Sequence, residues 1–372
     1  MRLPACLQAT VLALAACGAL AFAPAGLVQS AHAQTAAPAR PAAPSAQPSA
    51  PPASAPAAAK PPVLTRAFWA AEMRKPLEAR YGTAPQALVD YLIIDNRNNG
   101  FAARPRAAKI TPDFKRDVEQ AFRDMPAAVK RALAPKFAGL YFVDDLGSTG
   151  WTEALVDESG KQVAAVIVLD MGVLMQRSAN AWSTWKESTP FIADARWRID
   201  ARIAMPAEDN RKYALQYILL HEVAHAIAVN TRLHPWPDIA PQVAFTQGPW
   251  TWLDLTWSAE PSGWVSRYDN VFPNRARIVY YTGAKLPAAQ MQQTYEQLRN
   301  TSFATLYAAT NPMDDFAEAF ANYVHTQVLN RPFAIRIYRD GKPVLEYRDC
   351  WEEQRCAQKR RMVEEVLGIR RK

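Results

Sequence analysis

Tyr217-Ile218-Leu219-Leu220-His221-Glu222-Val223-Ala224-His225-Ala226-Ile227-Ala228-Val229 is the stretch whose reading decides the fold. It reads as an apolar helix carrying the pattern H-E-x-x-H. Residues four apart share a helix face, so His221 and His225 sit about 5–6 Å apart at Cβ. Two neutral imidazoles at that spacing can bind one Zn²⁺, with Glu222 beside them in reach of an attacking water. A metal lowers the pKa of water to about 7, and a carboxylate then serves as general base. The competing reading is a surface helix that bears His and Glu by chance. The flanks are too apolar for that, and a buried His-Glu-His without a metal would be costly.

A site of this kind has three protein ligands and an open position. The pattern H-E-x-x-H-x-x-G-x-x-H is excluded, because Ala228 and Thr231 stand at its Gly and last His positions, and His234 is out of register. N-E-x-x-S-D is absent. The third ligand is expected on a second helix, Asn311-Pro312-Met313-Asp314-Asp315-Phe316-Ala317-Glu318-Ala319-Phe320-Ala321-Asn322-Tyr323, which opens with a capping Asn and a Pro in its first turn. Asp314 and Glu318 share one face of it. One carboxylate can bind the metal while the other fixes an imidazole, and the apolar residues between them argue for a buried helix rather than a solvated one. His325, seven residues past Glu318, reads as a supporting or ordinary surface residue.

The two segments together resemble the gluzincin metallopeptidases of the anthrax lethal factor and Pro-Pro endopeptidase type. In those enzymes the second motif is similar to E-x-F-A-E, its first acid ligating zinc and its second supporting the site. A Tyr seven residues before the first acid stabilises the oxyanion, and that register falls on Tyr307. The resemblance covers roughly residues 213–230 and 303–325. The chain departs from the pattern in holding Asp314 where the family has Glu, so either Asp314 or Glu318 remains open as third ligand. The gap between the two segments is also long. The resemblance implies a zincin-like core, one Zn²⁺ per chain, Glu222 and Tyr307 as catalytic groups, and a peptide or protein substrate.

Upstream of the motif, 140–143, 152–156 and 163–169 read as strands, with Asp157-Glu158-Ser159-Gly160 as the turn of a hairpin. Residues 196–203 alternate polar and apolar and are a candidate fourth strand. A mixed sheet ahead of the active helix gives an α+β fold, whose edge strand can hold an extended peptide. Asp209-Asn210 precede the helix as capping residues. Residues 63–135 look mostly helical, with segments at 66–81 (broken near Pro76), 84–94, 112–122 and 127–133, and are expected to form a helical subdomain before a catalytic domain at 136–372. Past His225, an insertion at 234–270 carries Trp236, Trp250, Trp252, Trp257 and Trp264 among prolines. It reads as an ordered loop or lid whose rings either stack on sugar or peptide or form a small core; the second is favoured.

The 372 residues, 49% hydrophobic and 21% charged, suffice for a sizeable core. Residues 1–33 have the form of a secretion signal, with Ala31-His32-Ala33 as its cleavage site. Leu14-Ala15-Ala16-Cys17 offers an alternative, a lipoprotein box that would anchor the chain at Cys17. Residues 34–62, nearly all Ala, Pro, Ser and Gln, are a spacer. No apolar run downstream is long enough for a membrane helix. The expected location is periplasmic or secreted. Cys350 and Cys356 remain in the exported chain and are expected to pair, which requires the chain to turn between them. The net charge of +8 includes Lys359, Arg360, Arg361, Arg370, Arg371 and Lys372 near the C-terminus. That end either touches an anionic surface such as wall polymer or is a solvated helix and tail; no nucleic-acid motif accompanies it. The alternatives to a peptidase are a zinc-dependent cell-wall amide hydrolase and a non-catalytic wall- or peptide-binding protein.

Overall fold

A computed structural model of the protein describes residues 60–260, 263–281 and 283–369. The expected signal, the Cys17 alternative and nearly all of the spacer lie outside them. The elements run α1 (Ala70–Met73), β1 (Tyr81–Thr83), α2 (Gln86–Asn98), β2 (Arg106–Ala107), α3 (Pro112–Asp124), α4 (Ala127–Leu133), β3 (Phe137–Asp144), β4 (Gly150–Val156) and β5 (Gln162–Asp170). Next come α5 (Met171–Met175), α6 (Ala179–Ser188), β6 (Phe191–Ile192), β7 (Trp197–Arg202), α7 (Arg211–Ala228), α8 (Pro241–Gln247), β8 (Trp257–Glu260) and β9 (Gly263–Ser266). The chain closes with β10 (Leu286–Pro287), α9 (Met291–Leu298), α10 (Pro312–Tyr323), β11 (Ala334–Arg339), β12 (Lys342–Arg348) and α11 (Ala357–Leu367). The fold is α+β.

Its main sheet has the order β1-β3-β5-β4, with β2 also on β3. β1, β3 and β5 are parallel, whereas β4 is antiparallel to β5 and forms an edge. Alternation along the strands explains this layer. Leu140 and Phe142, Ala154, and Ile167 and Leu169 enter one core, while Tyr141 and Val143, Trp151 and Leu155, and Val166 and Val168 enter another under α2. Successive side chains of a strand point to opposite faces, so a sheet covered on both sides reads as a nearly unbroken apolar run. The expected hairpin forms: Gly160 holds φ 80°, and the Asp157 carboxylate accepts from Ser159 N–H at 2.9 Å.

Several expectations are corrected. The helix expected over 66–81 shrinks to α1. Pro76 stops it, and Tyr81–Thr83 instead pairs with β3, so the segment before residue 136 contributes strands to the main sheet as well as helices. The strand expected at 196–203 forms as β7 but lies in a second sheet, β12-β11-β7, whose partners come some 130 residues later in the chain. Asn210 occupies the N-cap position of α7 without a side-chain bond. The Asp209 carboxylate turns the other way and accepts from Asn180 N–H in the first turn of α6.

The Trp-rich insertion is not all loop, since it contains α8 and the β8–β9 hairpin. Its rings face inward: Trp236, Trp250, Trp252 and Trp257 are buried, and Trp264 is half-buried against the same core. This is the core alternative rather than the stacking one. Cys350 and Cys356 are disulfide-bonded with Cα atoms 5.8 Å apart, the chain turning through a short 3-10 helix between them. The basic end is partly spent internally. Lys359 is buried and its Nζ donates to both oxygens of Asp315 at 2.6 Å, and Arg360 donates to the Trp351 carbonyl; 370–372 lie outside the described residues. Among the described residues no helix is long and apolar enough to cross a membrane.

Candidate metal centre

α7 runs beneath the sheet and is buried on every side from Ala214 to Ala228. A helix apolar all round must sit inside a protein, and this one packs on β4, β5, α3, α6 and α10. Its two histidines therefore project into an interface, and the surface that meets them is α10. There Asn311 caps the helix through its side-chain oxygen, which accepts from Met313 N–H at 3.0 Å and Asp314 N–H at 2.9 Å, with Pro312 in the first turn.

The Asn311 amide also donates to Asp314 Oδ2 at 2.6 Å, with the Thr310 hydroxyl at 3.3 Å from the same oxygen. That fixes the carboxylate and leaves Oδ1 without a hydrogen-bond donor, although Asp314 is fully buried. Oδ1 lies 3.5 Å from His221 Nε2 and 3.6 Å from His225 Nε2, and the two imidazole nitrogens are 3.2 Å apart. Ligands at about 2.0–2.2 Å from a tetrahedral ion stand roughly 3.3–3.6 Å from one another. The three atoms therefore already have the mutual spacing of a ligand set, and Oδ1 has no hydrogen-bond donor of its own. His221, His225 and Asp314 could hold a metal ion.

Glu318 lies one turn further along α10 and serves differently. Its Oε1 accepts from His221 Nδ1 at 3.1 Å and from Lys186 Nζ at 3.0 Å, and its Oε2 from the Thr305 hydroxyl at 2.7 Å. A proton held on Nδ1 presents the Nε2 lone pair to the metal position. Of the two carboxylates left open by the sequence, Asp314 groups with both imidazoles, and Glu318 stands behind His221. Burial disfavours charge on all three groups, yet the imidazole rises to about 10 because the Asp314 and Glu318 carboxylates override it. Burial is likewise overridden for Glu318, which Lys186 and His221 hold down at about 2, and for Asp314, which the two imidazoles hold well below the usual carboxylate range. The surroundings thus favour positive charge at the point where the three donors converge.

Glu222 reaches toward the edge strand. Its Oε2 accepts from the Thr152 hydroxyl at 2.6 Å. Gly150 makes room for it, because a Cβ there would stand 2.9 Å from Glu222 Cδ. Tyr307 is buried in a 3-10 turn, its ring 5.7 Å from that of His221 and beneath Lys186 Nζ at 4.7 Å. These groups share one cavity of ≈ 30 Å³ with Thr149, Trp182 and Tyr281. Tyr281 holds a left-handed backbone, φ 66°, which costs a side-chain-bearing residue about 1–3 kcal/mol.

All six residues expected from the sequence at the site, namely His221, Glu222, His225, Tyr307, Asp314 and Glu318, line that cavity. His325 does not join them; it is buried, with Nε2 toward the carbonyls of Ile203 and Pro332. Sequence reasoning missed Thr152, Gly150 and Lys186. Only Gly150 carried a signal, since a glycine in a strand marks close approach of another group. No protein-family model, curated protein or solved structure matches the chain.

Proposed function

We propose that the protein is an exported zinc-dependent peptidase. The observation that carries this reading is the convergence of His221, His225 and the orphaned Asp314 oxygen, with Glu222 held beside them by Thr152. Two imidazoles and one carboxylate form a donor set suited to Zn²⁺. A bound Zn²⁺ there supplies Lewis acidity, polarising a carbonyl and making a nearby water acidic.

The residues of the chain supply the rest. Glu222 takes a proton from the attacking water and returns it to the leaving amine. Tyr307 donates to the oxyanion that develops on the scissile carbonyl. β4 is the last strand of the main sheet; Thr65 and Arg66 cover it at Val156, and an extended polypeptide can add as a further strand along the part nearer Gly150 and Glu222. That edge strand above an H-E-x-x-H helix is the arrangement a zincin core requires, which supports the gluzincin-like reading. The Cys350–Cys356 disulfide fits an oxidising compartment. The wall-hydrolase and wall-binding readings drew on the Trp cluster and the basic C-terminal end, and the burial of Trp236, Trp250, Trp252 and Trp257 weakens the first of these.

Elemental analysis of the exported protein, run beside four variants and a peptide library, tests the reading. Wild type and Glu222→Gln should each hold one equivalent of zinc, with only wild type cleaving peptide. His221→Ala and Asp314→Ala should hold none. Glu318→Gln should keep the metal with affinity lower by about 10–100-fold. A wild-type protein that takes up no zinc ends the proposal.

A further inference from the structure

β4 ends the main sheet, and the part of its edge nearer Gly150 has no strand beside it among the described residues. An edge of that kind presents unpaired N–H and C=O groups, which proteins normally cover. The far part is covered by the chain itself. Thr65 forms a parallel bridge with Val156, and Arg66 N–H donates to the Val156 carbonyl at 2.8 Å. Val63 and Leu64 are buried in the core under α2, and the Trp69 indole donates to the Val63 carbonyl at 2.8 Å, so this anchor is fixed from within.

The parallel sense of that bridge gives the upstream chain a direction. Followed backward from Thr65, it runs from the Val156 end of β4 toward Gly150 and Glu222. Lys60, the first described residue, agrees with this path. Burial pushes the Glu153 carboxyl up to about 7, and Lys60 is near enough to pull it down, against Asp238 and Asp95. One cation thus meets three carboxylates at the middle of the edge. From Glu153 to Gly150 the strand rises about 10 Å. Four extended residues reach at most about 13–14 Å, so 56–59 suffice to bring the chain to Gly150, where a Cβ would stand 2.9 Å from Glu222 Cδ. Between Arg40 and Lys60 the sequence has no charge and nothing bulkier than Gln, so it meets no repulsion from the carboxylates of the cleft.

Resting on the peptidase reading for its consequence, we propose that residues 53–59 add to β4 as a further strand between Gly150 and Glu153. The occupant of the free edge is then the chain's own Ala/Pro-rich segment, which competes with substrate for the same backbone groups. Pro56 is compatible with that place, since an edge strand tolerates a proline whose missing N–H would face away from the sheet. The consequence is a built-in restraint: a peptide has to displace the segment before it reaches Glu222.

The test uses the full exported chain. Ala57→Pro, Ala58→Pro and Ala59→Pro together leave 56–59 without an N–H, and they touch no described residue. Lys60→Glu, a second variant, sets a like charge beside Glu153. In wild type, the β4 amides that do not bond to β5 should exchange with deuterium at least tenfold more slowly than in either variant. This measurement needs neither zinc nor turnover. With zinc bound, both variants should cleave an internally quenched library peptide with KM at least threefold lower and kcat unchanged, as relief of competition requires. Equal exchange in wild type and both variants overturns the inference. So does protection that fades on dilution, which assigns the edge to a second copy of the chain. A KM that ignores the variants while exchange responds overturns the restraint. Zinc-loaded variants that cleave nothing in the library overturn the peptidase reading and leave the docking standing.

Discussion

Asp314 divides its labour between its two oxygens: Oδ2 is anchored by Asn311 while Oδ1 faces the imidazoles. The same economy holds for Glu222, whose Oε2 is tied to Thr152 and whose place depends on the missing side chain of Gly150. Gly150→Ala should therefore push the carboxylate away while leaving zinc bound. Steady-state assays should show kcat/KM lower by roughly 10²–10⁴-fold, the range a misplaced general base gives, with zinc stoichiometry unchanged. The residues legible in the sequence are those whose relation is local. His221 with His225, Asp314 with Glu318, and Asn311 with Pro312 are each fixed by helix geometry within one turn. Thr152 and Lys186 meet their carboxylates across 70 and 132 residues, and no spacing rule reaches that far.

Among the elements, β4 has the most to do, and one of its residues titrates out of the ordinary. Glu153 faces α2 with Trp151 and Leu155, and it is pushed up to about 7 by burial, against the Ala154 N–H that it accepts. Its carboxyl takes up a proton more readily in the folded chain than in the unfolded one, where 4.5 applies. The stability this group contributes is therefore complete below pH 4.5 and lost as pH rises through about 7. Glu153→Gln should melt above wild type at pH 8 and with it at pH 4, as calorimetry at the two pH values would show. β3, β4 and β5 were readable because their apolar runs are long. β1 was not, since three residues carry too little pattern, and β7 was readable as a strand but not as a member of its sheet, which late-arriving partners determine.

For the whole molecule, Asp315 matters as much as its neighbour Asp314. Asp315 accepts from Thr256 and Trp257 of the Trp-rich insertion and from Lys359 of α11, so one buried carboxylate gathers two distant segments onto α10. Burial shifts both Asp315 and Lys359 toward their neutral forms, up for the acid and down for the amine, against their mutual attraction. Removing one partner of such a pair is costly. Lys359→Met should lower unfolding stability by about 3–5 kcal/mol in denaturant titrations, and adding Asp315→Asn should recover much of it. The histidines and Asp314 also mark two points on the chain about 90 residues apart, with the whole Trp-rich insertion strung between them. In polymer terms, an ion shared by α7 and α10 is a reversible cross-link. It closes a loop of a length for which a permanent bond removes about 4–5 kcal/mol of unfolded-chain entropy. The metal would thus act as a clasp on that insertion, and its release would lengthen the free chain as a cut disulfide does.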